Sequence, residues 1–123
     1  MNTDFWYIQN PNNFVNSTDP DNSGLFSFLV SELQAAEDAN QRVWLLGHVA
    51  PGWTGTQALP SHSDLFYQVM DRYSPHVIAN IFFGHSHSDQ MSIYYNQNGT
   101  AQTAANALVP AWVAPKHHNP RGP

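Results

Sequence analysis

Val43-Trp44-Leu45-Leu46-Gly47-His48 and Val77-Ile78-Ala79-Asn80-Ile81-Phe82-Phe83-Gly84-His85-Ser86-His87 repeat one pattern, an apolar run that stops at Gly-His. Such runs fit strands buried on both faces, as in a parallel sheet. Each follows a stretch with helical spacing. In Leu25 to Ala39, Leu25, Phe26, Phe28, Leu29, Leu33 and Ala36 form an apolar stripe, while Glu32, Gln34, Glu37 and Asp38 take wetter positions. In Asp64 to Tyr73, Leu65, Phe66, Val69, Met70 and Tyr73 recur in the same way. A helix, a turn and a buried strand, given twice, predict an α/β fold.

The flanking residues extend this outline. Asp21 or Ser23 is placed to cap the first helix, and Ser63 or Asp64 the second. Asn40 is a plausible end for the first helix, and Ser74-Pro75 closes the second. Phe5-Trp6-Tyr7-Ile8 reads as a short strand ended by Asn10-Pro11-Asn12-Asn13. Met91 to Tyr95 and Ala107 to Val113 give two further strands, with Pro110 pointing to a bulge or an edge. The stretch from Val49 to Ser63 is long for a connector and suggests a rim or binding loop.

Composition narrows the function classes. Of the 123 residues 41% are hydrophobic, enough for a folded core, and only 11% are charged. Net charge is −5, and Arg42, Arg72, Lys116 and Arg121 form no basic patch, which argues against nucleic-acid binding. There is no cysteine, so disulfides say nothing about compartment. Asn16-Ser17-Thr18 and Asn98-Gly99-Thr100 are glycosylation sequons, so Asn16 and Asn98 are candidate acceptors in a secreted protein. The first sixteen residues lack a basic start and an apolar core, so they do not read as a signal peptide. No run approaches the ~20 apolar residues of a membrane span.

The chemistry rests on histidine. In α/β sheets ligands gather at the C-terminal ends of strands, where His48, His85 and His87 fall. Neutral imidazole ligates zinc and similar metals. His85 and His87 can share one side of an extended segment or, after a turn, serve two neighbouring metals. The alternative is that each is a hydrogen-bonded structural residue. That alternative is preferred for His62 and His76, and a solvated tail for His117-His118. Asp89 is near the pair and could cap or orient it. Three histidines cannot complete two sites of about four ligands each.

Four segments carry a resemblance: Ser17-Thr18-Asp19-Pro20, Leu33-Gln34-Ala35-Ala36-Glu37-Asp38, Gly47-His48-Val49-Ala50-Pro51-Gly52, and Phe82-Phe83-Gly84-His85-Ser86-His87. In this order they resemble the metallophosphoesterase (calcineurin-like) superfamily, and within it the acid sphingomyelinase-like branch. The resemblance runs from about Phe5 to Pro115. It implies an α/β sandwich of two sheets flanked by helices, of which this chain would be the C-terminal part, with the N-terminal half missing. It implies a catalytic-domain segment over residues 1–115 and an irregular or truncated tail over 116–123. By resemblance His48 and His85 bind one zinc and His87 a second.

The family's Asp-x-His motif, bridging Asp and Asn-His motif have no match here, and no histidine precedes His48. The tail, Lys116-His117-His118-Asn119-Pro120-Arg121-Gly122-Pro123, departs from the family pattern. The expectation is therefore a fragment, a partial gene product or a degenerate paralogue, inactive alone, binding one zinc weakly or none. The complete parent is expected to hold two Zn2+ and to hydrolyse a phosphodiester lipid such as sphingomyelin to ceramide and phosphocholine. It would be secreted or lysosomal, in peripheral contact with a membrane surface. Trp53 could meet a lipid or a choline group, because quaternary ammonium favours aromatic faces, or it could pack against the domain. Two other readings stay open: a catalytically dead binding or interaction module, and an unrelated α/β domain with structural histidines.

Overall fold

The computed structural model describes residues 1–15, 18–51, 57–96 and 107–114. After two 3-10 turns, Thr3–Trp6 and Pro11–Phe14, come α1 (Leu25–Asp38), β1 (Val43–Leu46), α2 (Pro60–Tyr73), β2 (Ile78–Phe83), β3 (Gln90–Tyr95) and β4 (Ala107–Val113). The strands form one mixed sheet in the order β1-β2-β4-β3. β1, β2 and β4 run parallel, and β3 pairs antiparallel with β4. The described residues thus form a partial α/β domain with one sheet and two helices.

Local chemistry explains most boundaries. Both Asp21 carboxylate oxygens accept N–H groups of the first turn of α1, from Phe26 and Ser27 at 2.8 Å each. Ser23 Oγ accepts the N–H of Leu25 at 3.3 Å. Asn40 ends α1 with φ of 54°, the left-handed conformation that asparagine tolerates at a helix end. α2 begins four residues before the expected Asp64, so Ser63 and Asp64 lie inside it and do not cap it. Pro60 supplies the first helical position, where its missing N–H costs nothing.

The strand expected at Phe5 to Ile8 is not formed. Thr3–Trp6 is a 3-10 turn whose start is capped by the Asn2 side chain, which accepts from Asp4 N–H at 3.2 Å. Asn10 does the same for Asn12 at 3.1 Å. These side chains offer the backbone an alternative to a ladder, and only Tyr7 makes a bridge, with Ala58.

β4 lies inside the sheet despite Pro110. The pairing with β2 runs from Ala111 to Val113, and Ala114 N–H donates to Phe83 O. Even-numbered nitrogens therefore face β2, and that of Pro110 falls before the paired stretch. Its missing N–H interrupts no ladder there.

Among the described residues only one face of the sheet is covered. Leu45, Ile81, Phe83, Tyr94, Val109, Ala111 and Val113 share a core with Leu29 and Leu33 of α1 and Phe66, Val69 and Met70 of α2. Trp44, Leu46, Phe82, Trp112, Met91 and Ile93 alternate with those positions and point the other way. On that second face exposure reaches 68% at Trp44, 61% at Leu46 and 55% at Met91. The expectation that each run is buried on both faces therefore fails for these residues.

Candidate metal centre

The parallel ladder of β1 and β2 continues beyond both strands. Gly47 N–H donates to Phe82 O and Gly84 N–H to His48 O, each at 2.9 Å. These bonds hold the two Gly-His elements side by side at the C-terminal end of the sheet. A Cβ on Gly47 would stand 2.7 Å from Thr3 Cγ2 and 2.8 Å from Phe83 Cε1. The position admits only glycine without rearrangement.

His48 Nε2 and His85 Nδ1 are 3.3 Å apart, with ring centroids at 5.1 Å and an interplanar angle of 84°. Ligand nitrogens lie ~2.0–2.1 Å from a zinc ion. Two such nitrogens with a tetrahedral angle between them stand about 3.3 Å apart, so the pair fits one metal ion. Without metal the same contact accommodates an N–H···N hydrogen bond.

His85 is held from several sides. Its Nε2 lies 2.8 Å from Gln57 Oε1, and its ring stands edge-on to Tyr7 with centroids 5.0 Å apart. Burial pushes its pKa below the usual imidazole value; His48 and His87 push the same way and Asp4 opposes them. The low pKa keeps the ring neutral, the form that ligates.

Backbone geometry marks the same residues. His85 has φ of 70° and His87 of 56°, both in the left-handed region. Ser86 N–H donates to Gly84 O at 2.9 Å, closing a three-residue turn centred on His85. Conformations of this kind cost on the order of 1–3 kcal/mol each and cluster at functional sites.

His87 is exposed beside the pair. Among the described residues no group of three or more His, Asp or Glu side chains converges to hold a metal. His62 is instead buried against Phe26, with centroids 5.8 Å apart, and His76 Nε2 lies 2.7 Å from Glu37 Oε1. Trp53, Asn16, Asn98 and the 116–123 tail lie outside the described residues. No described helix is long and apolar enough to cross a membrane.

Sequence reasoning overlooked three residues around the pair. Thr3 Oγ1 accepts the N–H groups of both His48 and Val49 at 2.8 Å. Tyr7 and Gln57 flank His85. Their elements are joined by hydrogen bonds from Ile8 N–H to Gln57 O and from Leu59 N–H to Trp6 O, at 2.8 Å each. No local signal marks any of the three, because each acts across the chain.

A partial α/β domain with a histidine pair at adjacent strand ends has informative relatives. The chain is 37% identical over 111 residues to a sphingomyelin phosphodiesterase from Bos taurus, covering 90% of this chain and 15% of that protein. It is 35% identical over 112 residues to sphingomyelin phosphodiesterase B from Dictyostelium discoideum, covering 85% and 17%. It is 31% identical over 120 residues to a cyclic GMP-AMP phosphodiesterase from Mus musculus, covering 94% and 25%. No protein-family model matches the chain. These similarities give the chain a family-level link to sphingomyelin-phosphodiesterase-like proteins within the broader phosphoesterase group. The chain spans between 15% and 25% of the length of these three relatives.

Proposed function

We propose that this chain is the C-terminal part of the catalytic domain of a zinc-dependent phosphodiesterase of the sphingomyelin phosphodiesterase type, without turnover of its own. The 3.3 Å approach of His48 Nε2 to His85 Nδ1 carries this reading. His48 and His85 would hold one zinc and His87 a second. Zinc, when bound, supplies Lewis acidity for the phosphate oxygens and a water nucleophile at neutral pH. The chain's own part is to present neutral imidazoles from a rigid sheet end. The bare face carrying Trp44, Leu46 and Trp112 supports a two-sheet sandwich in the parent, with the second sheet supplied by other residues.

The names of the relatives share a phosphodiester and differ in what flanks it. A phosphodiester is accordingly the substrate class, with sphingomyelin the specific proposal. Trp53, between Pro51 and Gln57 in sequence, is proposed to meet the choline or lipid portion. Low charge and the sequons at Asn16 and Asn98 support a secreted or lysosomal parent that meets lipid at a membrane surface.

A segment exchange tests the reading. Residues 1–123 replace the matching segment of the Bos taurus sphingomyelin phosphodiesterase, and hydrolysis of sphingomyelin and of a chromogenic phosphodiester is measured with zinc. The chimaera is expected to turn over, the isolated chain is not, and His85→Ala in the chimaera is expected to abolish turnover. A folded chimaera whose activity survives His85→Ala sinks the proposal, and favours a structural role for the histidines.

A further inference from the structure

We infer that Gln57 is a positioning residue, which fixes the tautomer of His85 so that its Nδ1 lone pair faces His48. The inference rests on reading His85 as a ligand, and it adds the device that keeps the ligand atom bare. An amide oxygen only accepts, so the 2.8 Å contact with Gln57 Oε1 requires the proton on His85 Nε2. In the neutral ring Nδ1 is then unprotonated. That atom lies 3.3 Å from His48 Nε2, where the shared metal would sit.

The placement of Gln57 is itself determined. Its carbonyl accepts Ile8 N–H at 2.8 Å, and the next residue, Ala58, bridges to Tyr7. The same short pairing brings the Tyr7 ring edge-on to His85. One anchored segment therefore sets both the tilt of the imidazole and the position of its proton. Ligating histidines generally donate their second N–H to such an acceptor, and losing it typically costs 10–100-fold in metal affinity.

Two measurements on the metal-free and zinc-titrated chain test the inference. Long-range 1H–15N correlation of the histidine rings, above the pH at which they protonate, reports the tautomer. Competition with a chromogenic chelator reports zinc affinity. The native chain is expected to show His85 in the Nε2–H form. Gln57→Leu is expected to shift it toward Nδ1–H and to weaken zinc binding by about 10-fold or more. Gln57→Glu keeps an acceptor and is expected to restore the Nε2–H form. Because the anchoring bond from Ile8 uses the Gln57 backbone, it remains available in both variants. An unchanged tautomer in Gln57→Leu overturns the inference. A shifted tautomer with no zinc binding by any variant, the native chain included, supports the positioning role and sinks the ligand reading instead.

Discussion

The hydroxyl oxygen of Thr3 accepts the backbone N–H of His48 at 2.8 Å across 45 positions of sequence, and that of Val49 at the same distance. Thr3 is only 1% exposed, so water cannot replace it. Thr3→Val keeps the shape and orphans the donors. An unsatisfied buried donor costs about 1–3 kcal/mol, so a loss of at least that size is expected in urea unfolding. Thr3→Ser retains the oxygen and is expected to lose less.

Gly47→Ala probes the same contact from the other side. The added methyl meets Thr3 Cγ2 and Phe83 below 3.0 Å, and overpacking of this kind typically costs about 1–3 kcal/mol. Thr3→Ser removes Cγ2, so the double variant is expected to be more stable than the sum of the two single losses. A double-mutant cycle on urea midpoints measures this coupling. Strict additivity would mean that the strain resides at Phe83 alone.

What could be read from sequence was local. The strand-Gly-His elements are continuous runs, and Asp21 stands just ahead of the helix it caps, so each carries its own signal. Pro60 misled because a proline in a polar stretch is equally a loop residue and a first helical residue. Phe5 to Ile8 misled because Asn2 caps a 3-10 turn over Thr3–Trp6, which leaves Tyr7 alone of these residues to form a bridge. Tyr7 and Gln57 were illegible because their roles arise only when residues 6–8 pair with 57–59, and Thr3 because its partners, His48 and Val49, are distant in sequence. The exposed sheet face was illegible for another reason: an apolar run does not state which of its two faces this chain covers.

That face makes its own prediction. Trp44, Leu46, Phe82 and Trp112 are adjacent across three parallel strands, and large exposed apolar patches associate. The isolated chain is expected to bind an apolar dye and to self-associate with rising concentration in analytical ultracentrifugation. Trp44→Thr with Trp112→Thr, both at outward positions, should reduce both signals while leaving the helical far-ultraviolet signal intact. Unchanged association in that variant would place the sticky surface elsewhere.

Two acid transitions are expected, in different pH windows. Hydrogen bonds from Arg72, then His76, hold Glu37 down to about 2 from the ordinary value of 4.5. A depressed carboxylate contributes stability above its unfolded pKa, lost as pH falls from about 4.5 toward 2. Burial lowers the pKa of His62, with Asp21 partly opposing. A neutral buried imidazole must charge on unfolding, so its contribution is lost earlier, as pH falls below the unfolded value of about 6.5. Urea midpoints from pH 8 to 2 are expected to show a smaller upper step in His62→Phe, with His85 supplying the remainder, and a smaller lower step in Glu37→Gln, with Asp21 supplying the remainder. Both variants retaining the native profile would assign acid sensitivity to other groups.

The three candidate ligands are expected to separate by substitution. His48 and His85 present nitrogens 3.3 Å apart, a bite that fits one tetrahedral ion. His87 is exposed, turned by its own left-handed backbone conformation, and close enough for its charge to lower the pKa of His85. In the isolated chain one zinc should therefore depend on His48 and His85 and not on His87. Isothermal titration at pH 8 is expected to show weak single-site binding that His48→Ala or His85→Ala removes. His87→Ala should leave that affinity within about threefold, a free-energy change below the 1.4 kcal/mol of a tenfold effect. In the segment-exchange chimaera the same His87→Ala should instead abolish hydrolysis, because there His87 would complete the second site. Equal loss of zinc binding from all three substitutions in the isolated chain would mean that the histidines share one ion, and the division of ligands between two metals would have to be abandoned.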